Sequence, residues 1–230
     1  MTMPTFAPSR RSFIAASGMS VLLAGCSGVI GPGAAPNLYL LHPQLAALDD
    51  APPVTWALTV SMPAAVDSID TQRIALTRPP VAMDYFANAA WTDRVPVLVQ
   101  GLIVEALEKS GRIQSVARES EGLNADYVMQ TDVRDFEAQY DQPNGPPTVL
   151  IRIEAKLLKF PERTIVANID AVQRAPASAN NMDAIVQAFN VAAAATFEQI
   201  ARWALSVPSA ASQAAQPAPP THGRRRRRHR

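Results

Sequence analysis

TVLIRIEAKLLKFPERTIVANIDA, residues 148–171, carries the most regular alternation in the chain. Val149, Ile151, Ile153, Ala155 and Leu157 alternate with Arg152, Glu154 and Lys156 on the opposite side. A period of two belongs to an extended strand with one apolar and one polar face. The FPERT segment at 160–164 then turns the chain into a partner strand carrying Ile165, Ala167, Ile169 and Ala171. Upstream, Tyr127, Met129, Thr131 and Val133 alternate in the same way, followed by the turn cluster YDQPNGPP at 140–147. Three consecutive strands with short connections predict an antiparallel meander with one wet face.

Working outward, VTWALTVS at 54–61 is a further strand with Val54, Trp56, Leu58 and Val60 on one side. Short strands are expected around Arg73–Thr77 and Val81–Phe86, separated by the Pro79-Pro80 turn, and around Ile113–Ala117. Two segments have the helical period instead. From Trp91 to Ser110, Trp91, Val95, Leu98, Leu102 and Ala106 line one face, with Thr92 as the expected N-cap and Gly111 as the C-cap. After Asn180 or Asn181, the residues Ile185, Val186, Phe189, Ala193, Phe197, Ile200 and Trp203 form an apolar stripe that Pro208 ends. The expected fold class is α+β: a two-layer domain over residues 37–207, mainly antiparallel sheet, with two amphipathic helices packed on one face.

The flanking segments have a different composition. Residues 1–12 are polar and basic and end in SRRS; Phe13–Ala24 is an apolar or small-residue run. That run is shorter than the about 20 residues a transmembrane helix needs and suits the core of a signal peptide, assigned here to residues 1–25. Arg10 and Arg11, followed by Ser12 and Phe13, resemble a twin-arginine export motif, with ordinary export as the alternative. Leu23, Ala24, Gly25 and Cys26 resemble the lipobox of bacterial lipoproteins. Cys26 is the only cysteine of the 230 residues. Its thiol is the nucleophile that would take a diacylglyceryl group, and its freed amine would take an N-acyl chain. Two or three acyl chains anchor stably where one does not. Residues 26–36 read as a lipidated Gly/Pro/Ala tether, and residues 208–230 as a disordered Pro/Ala-rich linker ending in an arginine-rich tail.

The chain carries 21 Lys and Arg against 20 Asp and Glu, a formal net charge of +1. The balance is uneven. Six arginines lie in the last seven residues, whereas every acid lies between Asp49 and Glu198. Export removes nucleic acid as a partner of this tail; an anionic phospholipid, lipopolysaccharide phosphate or an acidic protein face remain open, as does a merely solvated extension.

Catalytic motifs are absent. There is no Gly-rich phosphate loop, G-x-S-x-G or H-E-x-x-H. Asp132 and Asp135, three apart on a strand, are expected on opposite faces and not as an acid pair. Tyr127 and Phe136 read as core or sheet-edge residues and not as a base-stacking platform, and His42 as structural. One cysteine and three histidines argue against a metal site. The expectation is a protein that is not an enzyme, without catalytic residues, metal or cofactor beyond the lipid on Cys26.

With these residues in place, the chain resembles the auxiliary lipoprotein component of ABC-type transport systems, the PqiC-like family. The resemblance runs through NLYLLHP at 37–43, LTVSMPAAVDSIDTQRIAL at 58–76, YFANAAWTDRVPVLVQGLIVEALEKSG at 85–111 and DYVMQTDVRDFEAQY at 126–140. It implies an outer-membrane lipoprotein facing the periplasm. Its implied partners are an MCE-family substrate-binding protein and an ABC permease and ATPase. The implied cargo is phospholipid or another hydrophobic solute. A homo-oligomeric ring is a further implication, and the polar strand positions Arg152, Glu154 and Lys156 are the expected partner contacts. The alternative is a structural envelope lipoprotein that binds lipopolysaccharide or aids outer-membrane assembly.

Overall fold

A computed structural model describes residues 35–79 and 82–207. The signal and lipobox positions Arg10, Arg11, Leu23, Ala24, Gly25 and Cys26, and the arginine tail, lie outside the described residues.

The meander is the centre of the sheet. Its strands are β7 (Tyr127–Gln139), β8 (Thr148–Lys159) and β9 (Thr164–Pro176), joined by two antiparallel ladders along their whole length. On β8, Val149, Ile151, Ile153, Ala155 and Leu157 are all fully buried. Burying each larger aliphatic side chain contributes about 1.5–3 kcal/mol, so any one-residue slip, which would turn this set to water, is strongly disfavoured.

The other edge of β7 is shared by three strands in succession. Its first residues pair in parallel with β2 (Val54–Val60), Asp132 and Val133 pair with the two-residue β3 (Ala64–Ala65), and its end pairs with β4 (Arg73–Arg78). The sheet therefore forks. One branch continues from β2 to β6 (Ile113–Arg118), also in parallel. The other runs from β4 antiparallel to β5 (Ala82–Trp91) and then to β1 (Asn37–Tyr39). Five of the eight pairings are parallel, but the long ladders are antiparallel.

The helices are α1 (Val95–Ser110) and α2 (Met182–Ser206). Helix α1 packs on β2 and β6, α2 packs on β8 and β9, and the two helices touch. The start of α1 differs from expectation. Trp91 is the last residue of β5, paired with Tyr39, and Arg94, not Thr92, is the N-cap; Arg94 makes no side-chain capping bond. Trp91 and Val95 share the i, i+4 spacing of a helix by coincidence. The extended Arg94 and the Pro96 that follows in the first turn begin the helix later. The other three termini follow chemistry visible in the sequence. Gly111 ends α1 in the left-handed conformation at φ 61°, where a Cβ would be strained. The Asn181 side chain accepts a hydrogen bond from the Ala184 N–H at 3.0 Å and starts α2, whose last residue, Ser206, stands two before Pro208 in the sequence.

Trp91 is fully buried where the layers meet. Its ring lies edge-on to Phe189 of α2, with centroids 5.0 Å apart, and to Phe136 of β7 at 6.1 Å. Phe136 and Phe189 stack at 5.3 Å. This aromatic trio links β5, β7 and α2. Tyr127 and Phe136 are both core residues, as expected.

Residues 40–51, for which no element was expected, form an irregular strap over α2. Leu41 and Leu48 are buried beneath it. Irregular backbone leaves its N–H groups without ladder partners, and α2 supplies acceptors: Asn190 Oδ1 takes the His42 N–H, and Glu198 Oε1 takes the Ala46 N–H, both at 2.8 Å. Arg202 pairs with Asp50 farther along. His42 is held through its backbone.

Candidate partner-docking face

The helices cover one side of the meander, and the other carries a band of partly exposed polar side chains. Arg152, Glu154 and Lys156 project from β8 on that open side, as expected from their alternation with the buried set. The structure adds residues from both neighbouring strands. Glu154 sits between two cations, Arg134 of β7 at 2.9 Å and Lys156 at 3.1 Å. Arg134 also reaches Asp132 at 3.0 Å. Arg152 forks onto the Asp170 carboxylate of β9, with contacts of 2.8–3.1 Å. The Arg174 guanidinium donates to Gln139 at 2.7 Å.

Asp135 belongs to the same face, which corrects the expected opposition of Asp132 and Asp135. In the ladder Asp132 lies opposite Glu154 and Val133 opposite Ile153, but the next pair is Asp135 with Arg152. Arg134 is the extra residue of a β-bulge, and one unpaired residue reverses the inward–outward alternation beyond it. The two aspartates consequently share a face. The signal was available in the sequence: the apolar positions are odd-numbered through Val133 and even-numbered from Phe136.

Charges of both signs therefore interleave here: five carboxylates (Asp132, Asp135, Glu154, Asp170 and the buried Glu137) and four cations (Arg134, Arg152, Lys156, Arg174). Such a mosaic gives register and partner discrimination more than long-range attraction. The bond from Arg134, with a second from Lys156, holds the Glu154 carboxyl below its ordinary pKa. The Arg152 fork does the same for Asp170. The stabilising contribution of a carboxylate with depressed pKa is present above its unfolded value, about 4.3 for Glu. It is lost as pH falls through the lower folded value. Arg134→Met should move the Glu154 titration midpoint upward, toward the ordinary value, in a carbon-13 carboxyl NMR titration; an unmoved midpoint would refute Arg134 as the main cause.

Beside this mosaic a cleft of about 300 Å³ opens where β2 has ended and β3 begins. Ser61, Met62, Gln130, Asp132, Glu154 and Lys156 line it. Met62 is 55% exposed, so the cleft joins an apolar lip to the charged face. Neither the cleft nor Arg134 and Asp170 were foreseen. Each depends on which strands become neighbours. Among the described residues no grouping of His, Cys, Asp or Glu could hold a metal ion, and no helix is long and apolar enough to cross a membrane.

Comparison with known proteins gives a consistent picture. A model of the family described as ABC-type transport auxiliary lipoprotein component matches residues 39–201. The crystal structure of protein XCC0632 from Xanthomonas campestris is similar, with a TM-score of 0.71 and 29% identity, covering 77% of this chain and 99% of that one. A second crystal structure, of an uncharacterised protein, shares the fold at a TM-score of 0.59 and 17% identity, covering 74% of this chain and 99% of that one. An uncharacterised protein of Bradyrhizobium diazoefficiens is 29% identical over 139 residues, 60% of this chain. The match spans 37% of that protein's length.

Proposed function

The chain belongs to the family of ABC-type transport auxiliary lipoprotein components, and from that premise we propose that it is a lipid-anchored, non-enzymatic accessory of an ABC transport system of the MCE type. In this reading Cys26 carries the anchor, in the outer membrane and facing the periplasm. The folded domain docks an MCE-family substrate-binding protein that works with the permease and ATPase. Phospholipid or another hydrophobic solute passes between the two membranes. A ring of several copies would give such a conduit its walls. The observation that carries the reading is the extent of the family match, which takes in nearly the whole folded domain.

The mosaic of β7, β8 and β9 is the proposed docking surface. It is polar, ordered by ion pairs, and on the side of the sheet the helices do not cover. Individual exposed pairs contribute little to stability, so a partner that must match all of them gains specificity at small cost to the fold. Affinity capture of the lipidated chain from crosslinked envelopes should recover MCE-type and ABC subunits. The triple variant Arg152→Glu, Glu154→Lys, Lys156→Glu should lower that recovery at least about tenfold, the scale of a lost 1.4 kcal/mol. Recovery of neither subunit type, with membrane lipid distribution unchanged on deletion, would refute the proposal.

The arginine tail supports a second reading, an envelope lipoprotein that binds lipopolysaccharide or aids outer-membrane assembly. Removing residues 224–230 separates the two. The transport reading expects capture of the transporter subunits to survive; the alternative expects loss of lipopolysaccharide binding.

A further inference from the structure

Strand β9 closes the meander, and among the described residues only one of its edges is paired. Along Thr164–Pro176 it pairs with β8 at every position but Val166, and no strand among the described residues pairs with the other edge. An unpaired edge presents a row of backbone N–H and C=O groups, and proteins commonly blunt such edges with lysine, proline, bulges or brevity. This edge is 13 residues long, has no lysine, and has its one proline at the last position, Pro176. Its ladder is irregular near Val166 and regular from Ala167 onward.

The residues that β9 turns to the open side are Asn168, Asp170, Val172 and Arg174, opposite Lys156, Glu154, Arg152 and Leu150. Asp170, Val172 and Arg174 read acid, apolar, base, with Val172 at the centre and 42% exposed. That order is its own complement under antiparallel pairing. With a two-fold axis at Val172, valine meets valine and each Asp170 meets the other copy's Arg174. On the opposite side Ala171 meets Gln173 and Ile169 meets Ala175. Moving the axis to Asp170 or Arg174 would oppose like charges, as would a parallel in-register pairing, and like charges directly opposite are destabilising. Among axes centred on the outward charged triplet, the charge order selects one register.

We propose that β9 pairs antiparallel with β9 of a second copy of this chain, in the register centred on Val172, so that two meanders join into one continuous sheet. The proposal rests on the edge alone and not on the transport role. Such a contact is isologous and closes at two copies. Ring assembly would need a second, different surface.

The register can be tested in the full chain carrying Cys26→Ser, which has no other thiol. Val172→Cys in that background should form a disulfide-linked dimer under mild oxidation, since residues facing each other across antiparallel strands have Cα atoms about 4.5–5.5 Å apart, within disulfide reach. Val166→Cys, also exposed but far from its own copy in this register, should stay mostly monomeric. Light scattering should show a dimer for the parent, and Val172→Lys should raise its dissociation constant at least tenfold, with unchanged circular dichroism. Equal crosslinking at both positions, a monomeric parent, or an assembly whose mass ignores Val172→Lys would each overturn the proposal.

Discussion

Replacing Trp91 with alanine should destabilise the domain by about 3–5 kcal/mol, the range for deleting a large buried aromatic side chain. For a domain of this size that corresponds to a fall in melting temperature of roughly 6–20 °C. The side chain is fully buried and contacts Phe136 and Phe189 edge-on, so its loss opens a cavity shared by β5, β7 and α2. These elements come from three parts of the chain and cannot all move inward together. Trp91→Phe provides the contrast. The Trp91 indole N–H is buried and has no hydrogen-bond partner among the described residues, and such an unmade bond is itself costly. Phenylalanine removes that polar group while keeping an aromatic ring, so it should cost much less than alanine. Denaturant unfolding of both variants measures the difference. A cost below about 1 kcal/mol for Trp91→Ala, the level of an average substitution, would show that the trio is not central to the packing.

Cys26→Ser should abolish the membrane anchor under the proposed function. Serine offers no thiol for thioether formation, so labelling with palmitate should fall to background and the chain should keep its N-terminal 25 residues. Each buried methylene contributes about 0.8 kcal/mol to membrane binding, and a single myristoyl chain already gives an association constant of about 10⁴ M⁻¹. Loss of two or three chains should therefore reduce the lipid contribution to membrane partitioning by more than about four orders of magnitude, leaving only what the retained 25 residues supply. Intact mass measurement and fractionation read both effects. A lipidated, processed Cys26→Ser protein would refute the lipobox.

The fold follows from the sequence where the signal is periodic and local. Val149 to Leu157 needs nothing outside itself to declare a strand, and Asn181 and Gly111 mark helix ends through chemistry confined to one turn. The expectation failed where a coincidence of spacing competed with pairing. Trp91 stands four residues before Val95, as a helix would have it, yet hydrogen bonding and pairing to Gln72 and Tyr39 keep it in β5. It failed again at Arg134, where one added residue carried Asp135 to the face of Asp132.

The candidate site divides in the same way. Arg152, Glu154 and Lys156 were legible because the polar face of a strand can be read from its own alternation. Arg134 and Asp170, their ion-pair partners, were not, because they belong to other strands and their proximity depends on ladder register. The strap over α2 was illegible for a related reason: residues 40–51 have no period, and acceptors from Asn190 and Glu198 hold them in place.

The α+β class, the meander, the two helices and the polar face of β8 are all written locally, since each depends on side-chain periods and caps acting over a few residues. Long-range pairing is what shares β7 among β2, β3 and β4, turns Asp132 and Asp135 to the same face, and leaves the second edge of β9 without a partner strand among the described residues. Those outcomes depend on contacts between segments far apart in the chain. Loop-closure entropy and the burial of a common core select such contacts, and no local pattern records them.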